Sequence, residues 1–144
     1  QQTAIDITEK AFRRLLQFPF IGIDHVERVF IAATIHARYV GKPDDRWLEP
    51  AIGLLPASGR RRAQILGRAI LLGFRLSGGV PEILDDARLR IGVDQVRLEV
   101  GHAARVPDSE VVGDRLKLLA QALGVRRTEV AEIHFPLASV EDSR

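Results

Sequence analysis

Cysteine and methionine are both missing from this 144-residue sequence. The lack of cysteine excludes a disulfide framework, a zinc site with cysteine ligands and thiol catalysis. The lack of methionine extends to position 1, from which we expect the chain to be a piece of a longer protein. Such a piece can lack the parts of its parent that carry out chemistry.

Aromatic side chains and long apolar runs are also scarce. Aromatic residues make up 6% of the chain, which disfavours nucleic-acid binding because single-strand binders stack bases on aromatic rings. The apolar runs VFIAATI and AILLGF are much shorter than the roughly 20 residues that span a bilayer. The first ten residues do not resemble a signal peptide. We therefore expect a cytoplasmic protein that does not bind membranes.

The composition as a whole is typical of a globular protein. Hydrophobic residues account for 46% and charged residues for 28% of the chain, and the net charge is only +2. A balance this even does not indicate a polyanionic partner. Only a local cluster of positive charge can do so.

The spacing of apolar residues predicts an α+β fold, mainly α, in two parts. Residues 1–80 form the first part, a helical subdomain, and residues 81–144 form the second, a small ββαβ subdomain with a frayed tail. The first part contains about four helices, predicted over residues 3–17, 25–40, 46–55 and 59–76, the third of them interrupted or started near Pro50. Asp24 is the expected N-cap of the second helix, and Ser58 that of the fourth.

The second part begins with an alternating pattern. The string ARLRIGVDQVRLEVGH predicts a β-hairpin with VDQ at its turn. A helix should follow, capped by Asp108 or Ser109 and closed by Gly124. The string TEVAEIHF predicts a third strand, so the order is ββαβ.

The stretch ASGRRRAQILGRAILLGFRLSGG places five arginines on an otherwise apolar helix. Arg61, Arg68 and Arg75 are seven residues apart, so they lie on one face with a drift of about 20° per heptad. Arg60 and Arg62 lie in the first turn, where unpaired backbone amides and the positive end of the helix dipole also attract anions. A chain of phosphates can therefore meet guanidinium groups and amides together.

A structural role for these arginines is the alternative that spacing alone favours. Arginine stripes often form the solvated face of an amphipathic helix. In that case they pair with acids such as Glu49, Asp85 or Asp86. Arg68 in particular lies among apolar neighbours, which is typical of a buried, paired arginine.

No constellation in the sequence has the spacing of a catalytic or metal site. The four histidines, His25, His36, His102 and His134, stand alone, without the paired spacing that a metal site needs. The motifs G-x-S-x-G and G-x-G-x-x-G and the Walker loop are absent from the sequence. We therefore predict no catalytic residue and no metal site in this chain.

Four strings, taken in order, resemble a known family: FPFIGIDHVERVFIAATIHARY, RRAQILGRAILLGFRLSGG, LRIGVDQVRLEV and GDRLKLLAQALG. They are similar to the C-terminal region of the exopolyphosphatase/guanosine pentaphosphate phosphatase (Ppx/GppA) family. The resemblance implies that residues 1–80 are an HD-like helical subdomain. It also implies that catalysis, with a divalent metal such as Mg²⁺, belongs to N-terminal actin-like domains of a parent chain.

The function implied by the resemblance is that of a non-catalytic part of a hydrolase. Family members release terminal phosphate from inorganic polyphosphate or pppGpp, commonly as homodimers, and their C-terminal basic residues help to bind the polyanion. The implied partners are thus polyphosphate, the parent's catalytic domains and a second copy. The implied polyphosphate-binding residues of this chain are Arg60, Arg61, Arg62, Arg68, Arg75, Arg38 and Lys42. No cofactor is expected in this chain itself, and the chain alone should not hydrolyse phosphoanhydride bonds.

The sequence departs from the family pattern at one position, and three alternatives to the implied function stay open. Many family members have a histidine after the Arg-Tyr pair, whereas here Arg38 and Tyr39 are followed by Val40. The alternatives are a dimerisation or scaffolding module without a ligand, a degenerate HD-type hydrolase with a metal at His36 or His25, and a nucleic-acid-binding domain.

Overall fold

The computed structural model describes residues 4–17, 22–39, 46–48, 50–101 and 109–133. Its helices are α1 (Ala4–Gln17), α2 (His25–Arg38), α3 (Ala57–Ser77) and α4 (Ser109–Leu123). Its strands are β1 (Ala87–Ile91), β2 (Gln95–Gly101) and β3 (Arg127–Ile133). Short 3₁₀ segments cover Arg46–Leu48, Ile52–Leu54 and Pro81–Asp86. The predicted α+β fold, mainly α, is confirmed.

Helix α2 begins where the sequence predicts, because Asp24 caps it. A carboxylate oxygen of Asp24 accepts a 2.8 Å hydrogen bond from the Glu27 amide, and the Glu27 carboxylate accepts one of 2.8 Å from the Asp24 amide. This reciprocal pair satisfies two amides at the start of the helix. Helix α1 packs antiparallel to α2, with Arg28 donating to the carbonyl oxygen of Leu16 at 3.2 Å.

The predicted third helix is replaced by two 3₁₀ segments on either side of Pro50. Proline lacks the amide hydrogen that a continuous helix needs and clashes with the preceding turn, so it interrupts the pattern. The segments still bury Leu48 and Ile52. The apolar spacing was thus a correct guide to burial but not to the type of helix.

Helix α3 begins two residues earlier than predicted. Pro56 is its N-cap residue and supplies no side-chain cap, so the prediction of Ser58 as the cap is wrong. Ser58 lies inside the first turn, because proline at the N-cap places the following residues directly in the helix. The helix ends at Gly78, whose φ of 59° is the left-handed conformation that glycine adopts easily.

Helices α2 and α3 run parallel and touch closely at Gly67. Phe30 faces Arg62 near the start of α3, and Arg38 faces Phe74 near its end. Between them, a Cβ atom added at Gly67 would lie 2.5 Å from the Cβ of Ala37. The two helices therefore approach too closely at Gly67 to leave room for a side chain. At Gly73, an added Cβ would meet Leu84, at 4.0 Å, and no other atom of the described residues within that distance.

Helix α3 contributes to two hydrophobic clusters. The cluster around α1 and α2 consists of Phe12, Val29, Ala32, Ala33, Leu48, Ile52, Leu55 and Ala63. The cluster between α3, α4 and the sheet consists of Leu72, Leu76, Val96, Leu98, Val100, Val112, Leu116, Leu119 and Ala120. One end of α3 thus packs in each cluster. The division of the chain at residue 80 stays a prediction.

The described strands form one sheet in the order β1-β2-β3. Strand β1 pairs antiparallel with β2, as the predicted hairpin requires, and β3 pairs parallel with β2 after the crossover through α4. The side chains of Val96, Leu98 and Val100 are buried against α3 and α4. Charged residues occupy the opposite face. The predicted tail after residue 135 lies outside the described residues.

Candidate anion-binding surface

The three consecutive arginines of α3 point in different directions, because neighbouring residues on a helix are rotated by about 100°. Arg60 donates through Nε to the carbonyl oxygen of Leu55 at 3.1 Å. Arg61 donates through Nη2 to the carbonyl oxygen of Leu123 at 3.0 Å, at the end of α4. The structure therefore does not gather these arginines into one cluster.

Arg62 lies beside a groove at the start of α3. Its guanidinium carbon is 5.8 Å from the centre of the Phe30 ring, within the range of a cation–π contact. The groove has a volume of about 560 Å³ and is lined by Phe30, Val26, Gly59 and Arg62, among other residues. Since no side chain caps α3, the first-turn amides and the exposed Arg62 present hydrogen-bond donors and positive charge at the same end of the helix.

Arg61, Arg68 and Arg75 follow one side of α3, as their spacing predicts. Arg61 reaches the last turn of α4, and Arg68 is close enough to Arg115 of α4 for their charges to interact. Arg75 is exposed and makes no hydrogen bond or ion pair with another described residue. We call these three residues the arginine row. It runs along the boundary between α3 and α4.

Arg68 is the buried member of the arginine row, with only 6% of its surface exposed. With the Gln64 amide turned to present its oxygen, that oxygen accepts hydrogen bonds from Nη2 and Nε of Arg68 at 3.0 and 3.3 Å. Burial, and then the positive charge of Arg115, lower the pKa of Arg68. The placement agrees with the alternative of a buried, paired arginine, the Gln64 amide being one partner.

Two of the three acids proposed as partners of the arginine row can be placed in the structure. Asp85 and Asp86 are exposed, and neither makes an ion pair with another described residue. Glu49 lies outside the described residues. Asp85 and Asp86 are therefore not the partners that the structural alternative invoked.

The remaining predicted ligand residues lie elsewhere. The Arg38 guanidinium lies over two rings, 4.6 Å from the centre of Tyr39 and 5.0 Å from that of Phe74. These contacts hold Arg38 at the C-terminal end of α2, beside Phe74 of α3. Lys42 and Val40 fall outside the described residues.

The histidines that the degenerate-hydrolase alternative needs are not gathered. His36 is buried, and its ring meets the Phe12 ring edge to face at 6.2 Å. His25 is exposed at the start of α2, while His102 and His134 are outside the described residues. The described residues contain no group of three or more histidines and carboxylates that could hold a metal ion. Among the described helices, none combines the length and apolar character of a membrane span.

The residue that sequence reasoning missed is Arg115. Its sequence neighbours are the core residues of α4, and only the packing of α4 against α3 brings its charge to Arg68. Helical spacing places Arg115 beside the buried apolar face of α4, next to Leu116 and Leu119. No local pattern names its partner.

Comparison with known proteins identifies the chain. A family model described as the C-terminal part of exopolyphosphatase matches residues 10–130. A search of curated proteins found no match to the chain.

Proposed function

Since the chain belongs to the exopolyphosphatase C-terminal family, we propose that it is a non-catalytic portion of an exopolyphosphatase-type phosphatase that binds inorganic polyphosphate and mediates dimerisation. Release of terminal phosphate from polyphosphate or pppGpp, with Mg²⁺, is assigned to the parent's N-terminal domains. The chain alone is expected to release no phosphate.

The observation that carries the binding proposal is the start of α3. Its first turn combines a helix terminus without a side-chain cap and the exposed, groove-lining Arg62. Polyphosphate carries a negative charge on every unit, and oxyanions are bound well by backbone amides at a helix start and by guanidinium groups. The same surface offers few aromatic rings for bases to stack on, which favours an inorganic polyanion over single-stranded nucleic acid.

Dimerisation is supported by a second side of α3. Leu66, Ile70 and Phe74 repeat at helical spacing and are 44%, 40% and 52% exposed. Ile70 and Phe74 line a largely apolar groove of about 530 Å³ that also includes Gly73 and Leu84. Contiguous exposed apolar surface of this kind marks interaction sites. We assign it to a second copy of the chain and call it the apolar stripe.

The binding proposal is tested by titrating polyphosphate into the chain at low and high salt. We expect affinity to fall as salt rises, because binding releases counterions. Arg62→Gln should weaken binding and reduce the salt slope by about one. Arg14→Gln removes an exposed arginine of α1 and should change neither.

The alternatives give different results in the same assays. Absence of binding would contradict the proposal and favour a scaffolding module. Phosphate release by the chain alone, or a divalent ion bound at His36 or His25, would favour a degenerate hydrolase. Displacement of polyphosphate by single-stranded RNA at equal charge would favour a nucleic-acid-binding domain.

A further inference from the structure

Two glycines lie in the middle of α3, and the packing of the described residues explains only Gly67. Glycine in a helix interior is less favourable than alanine, because it loses more backbone freedom on folding. At Gly67 a side chain is excluded, since an added Cβ would lie 2.5 Å from the Cβ of Ala37. At Gly73 an added Cβ would have ordinary room, with a side-chain carbon of Leu84 4.0 Å away. A contact with another molecule would give Gly73 the reason that Gly67 already has.

The surface above Gly73 combines a groove with an exposed ring. The groove has a volume of about 530 Å³, and Ala69, Ile70 and Leu84 line it together with Gly73. Phe74 also lines the groove and is 52% exposed. An exposed ring beside an apolar groove makes this surface self-complementary, because two copies related by a two-fold axis can each bury the ring in the groove of the other. Such a contact is closed, so association stops at a dimer.

The ring and the groove border different elements of the fold. Neighbouring residues on a helix are rotated by about 100°, so Gly73 and Phe74 point in different directions. The Arg38 guanidinium of α2 lies 5.0 Å from the centre of the Phe74 ring. On the other side, the 3₁₀ segment Pro81–Asp86 approaches Gly73 through Leu84. The ring therefore lies next to α2, and the groove next to the 3₁₀ segment.

Opposite charges accompany these two sides. Asp85 and Asp86 follow Leu84 in the chain and are exposed. Neither forms an ion pair with another described residue, and neither does Arg38, whose described contacts are with aromatic rings. The side with the ring is thus positive, and the side with the groove is negative. A ring that enters the groove of a second copy brings Arg38 toward carboxylates.

We propose that the apolar stripe forms a two-fold symmetric dimer contact, in which Phe74 of each copy occupies the groove over Gly73 of the other and Arg38 faces the partner's Asp85 and the partner's Asp86. The inference rests on the proposed function, which assigns the stripe to a second copy of the chain. It adds the geometry of the contact and the charge pairs that select this partner, since like charges placed opposite each other are costly.

Glycine-to-alanine variants test the groove. Gly73→Ala adds a methyl group where the partner's ring lies, so it should weaken self-association about tenfold through overpacking. Gly113→Ala is the matched control, because Gly113 lies inside α4 and an added Cβ there meets nothing within 4 Å. Both variants should resist urea better than the wild-type chain when monomeric, since each gains helix propensity. Analytical ultracentrifugation over a range of concentrations measures the association.

Charge reversal tests the ion pairs. Arg38→Glu and the double variant Asp85→Arg, Asp86→Arg should each self-associate more than tenfold more weakly than the wild-type chain, because each places like charges opposite one another. A 1:1 mixture of the two should form a heterodimer about as tightly as the wild-type chain forms its homodimer. One site of that heterodimer has the native pair, and the other has the same pair with its signs exchanged. A merely structural role for Arg38 would give no such rescue.

The outcomes separate this inference from the proposed function. Equal self-association of Gly73→Ala and Gly113→Ala would overturn the inference, as would a mixture of the charge variants that stays monomeric. Either result, with Ile70→Asp still weakening the dimer, would leave the assignment of the stripe to a second copy intact. A wild-type chain that stays monomeric at every concentration would overturn both.

Discussion

The arginines of the sheet and those of α3 are placed in different electrostatic surroundings. On the outer face of the sheet, Arg90 is 3.4 Å from Glu99, and Arg97 is 3.5 Å from Glu129. Arg127 is 3.2 Å from Asp94 at the edge. The sheet thus balances its positive charge with carboxylates of its own.

On α3, the contacts seen for Arg61 and Arg62 are with neutral groups. Arg61 donates to a carbonyl oxygen, Arg62 faces a ring, and Arg75 makes no hydrogen bond or ion pair with a described residue. A neutral acceptor satisfies hydrogen bonds but leaves the charge uncompensated. An equal number of arginines can therefore be structural in one region and available to a polyanion in the other.

The largest expected effect comes from removing three charges in each region. We expect Arg61→Gln, Arg62→Gln and Arg75→Gln together to lower polyphosphate affinity about a hundredfold and the salt slope by about three. The matched triple variant, Arg90→Gln, Arg97→Gln and Arg127→Gln, removes the same charge from the sheet.

The sheet variant should bind polyphosphate nearly as well as the wild-type chain, because its arginines are already paired. Titrations at several salt concentrations measure both quantities, and circular dichroism checks that each variant is folded. Equal losses of affinity in the two triple variants would mean that only net charge matters, and the distinction between the regions would fall.

The next effect concerns the contact that holds α3 against α2. At Gly67 an added methyl group would lie 2.8 Å from the Arg38 amide nitrogen, so Gly67→Ala should lower the free energy of unfolding by about 2 kcal/mol through overpacking. At Gly73 an alanine has room, so Gly73→Ala should raise the free energy of unfolding by up to about 1 kcal/mol through helix propensity. Urea denaturation measures both, and a stabilising Gly67→Ala would contradict the close packing.

Sequence reasoning succeeded where local pattern decides structure. Asp24 has the capping partner Glu27 three residues on, and the hairpin has strict alternation, so both were predicted correctly. It failed at Ser58, since Pro56 sets the start of α3 through its backbone and supplies no side-chain cap. The break near Pro50 in the third predicted helix was anticipated, but the 3₁₀ form of the two segments beside it was not.

The candidate site was less predictable than the fold. The arginine row was visible as a heptad spacing, but the spread of Arg60, Arg61 and Arg62 depends on what surrounds the first turn of α3. The approach of Arg115 to Arg68 joins residues 47 positions apart in the chain, and packing alone creates it. Charge spacing on one helix cannot reveal a partner on another.

A smaller effect is expected at the apolar stripe of α3. Because this surface carries no charge, a change there should affect self-association and not polyphosphate binding. Ile70→Asp should weaken self-association about tenfold by placing a carboxylate in an apolar contact, with polyphosphate binding to the monomer unchanged. Light scattering over a range of concentrations measures the association. Val93→Asp, at a fully exposed turn position, is the control. Equal self-association of the two variants would show that the apolar stripe is not part of the dimer interface.

The smallest expected effect separates the two roles of Arg61. Its hydrogen bond to Leu123 ties α3 to the end of α4, and cations favour a helix C-terminus. Arg61→Gln should therefore lower the free energy of unfolding by about 0.5–1 kcal/mol, and Arg61→Lys, which keeps the charge, by less. If Arg61→Gln weakened polyphosphate binding with no change in urea denaturation, Arg61 would act as a ligand residue only. A loss of stability with unchanged binding would instead make it a structural link, and the arginine row would then begin at Arg68.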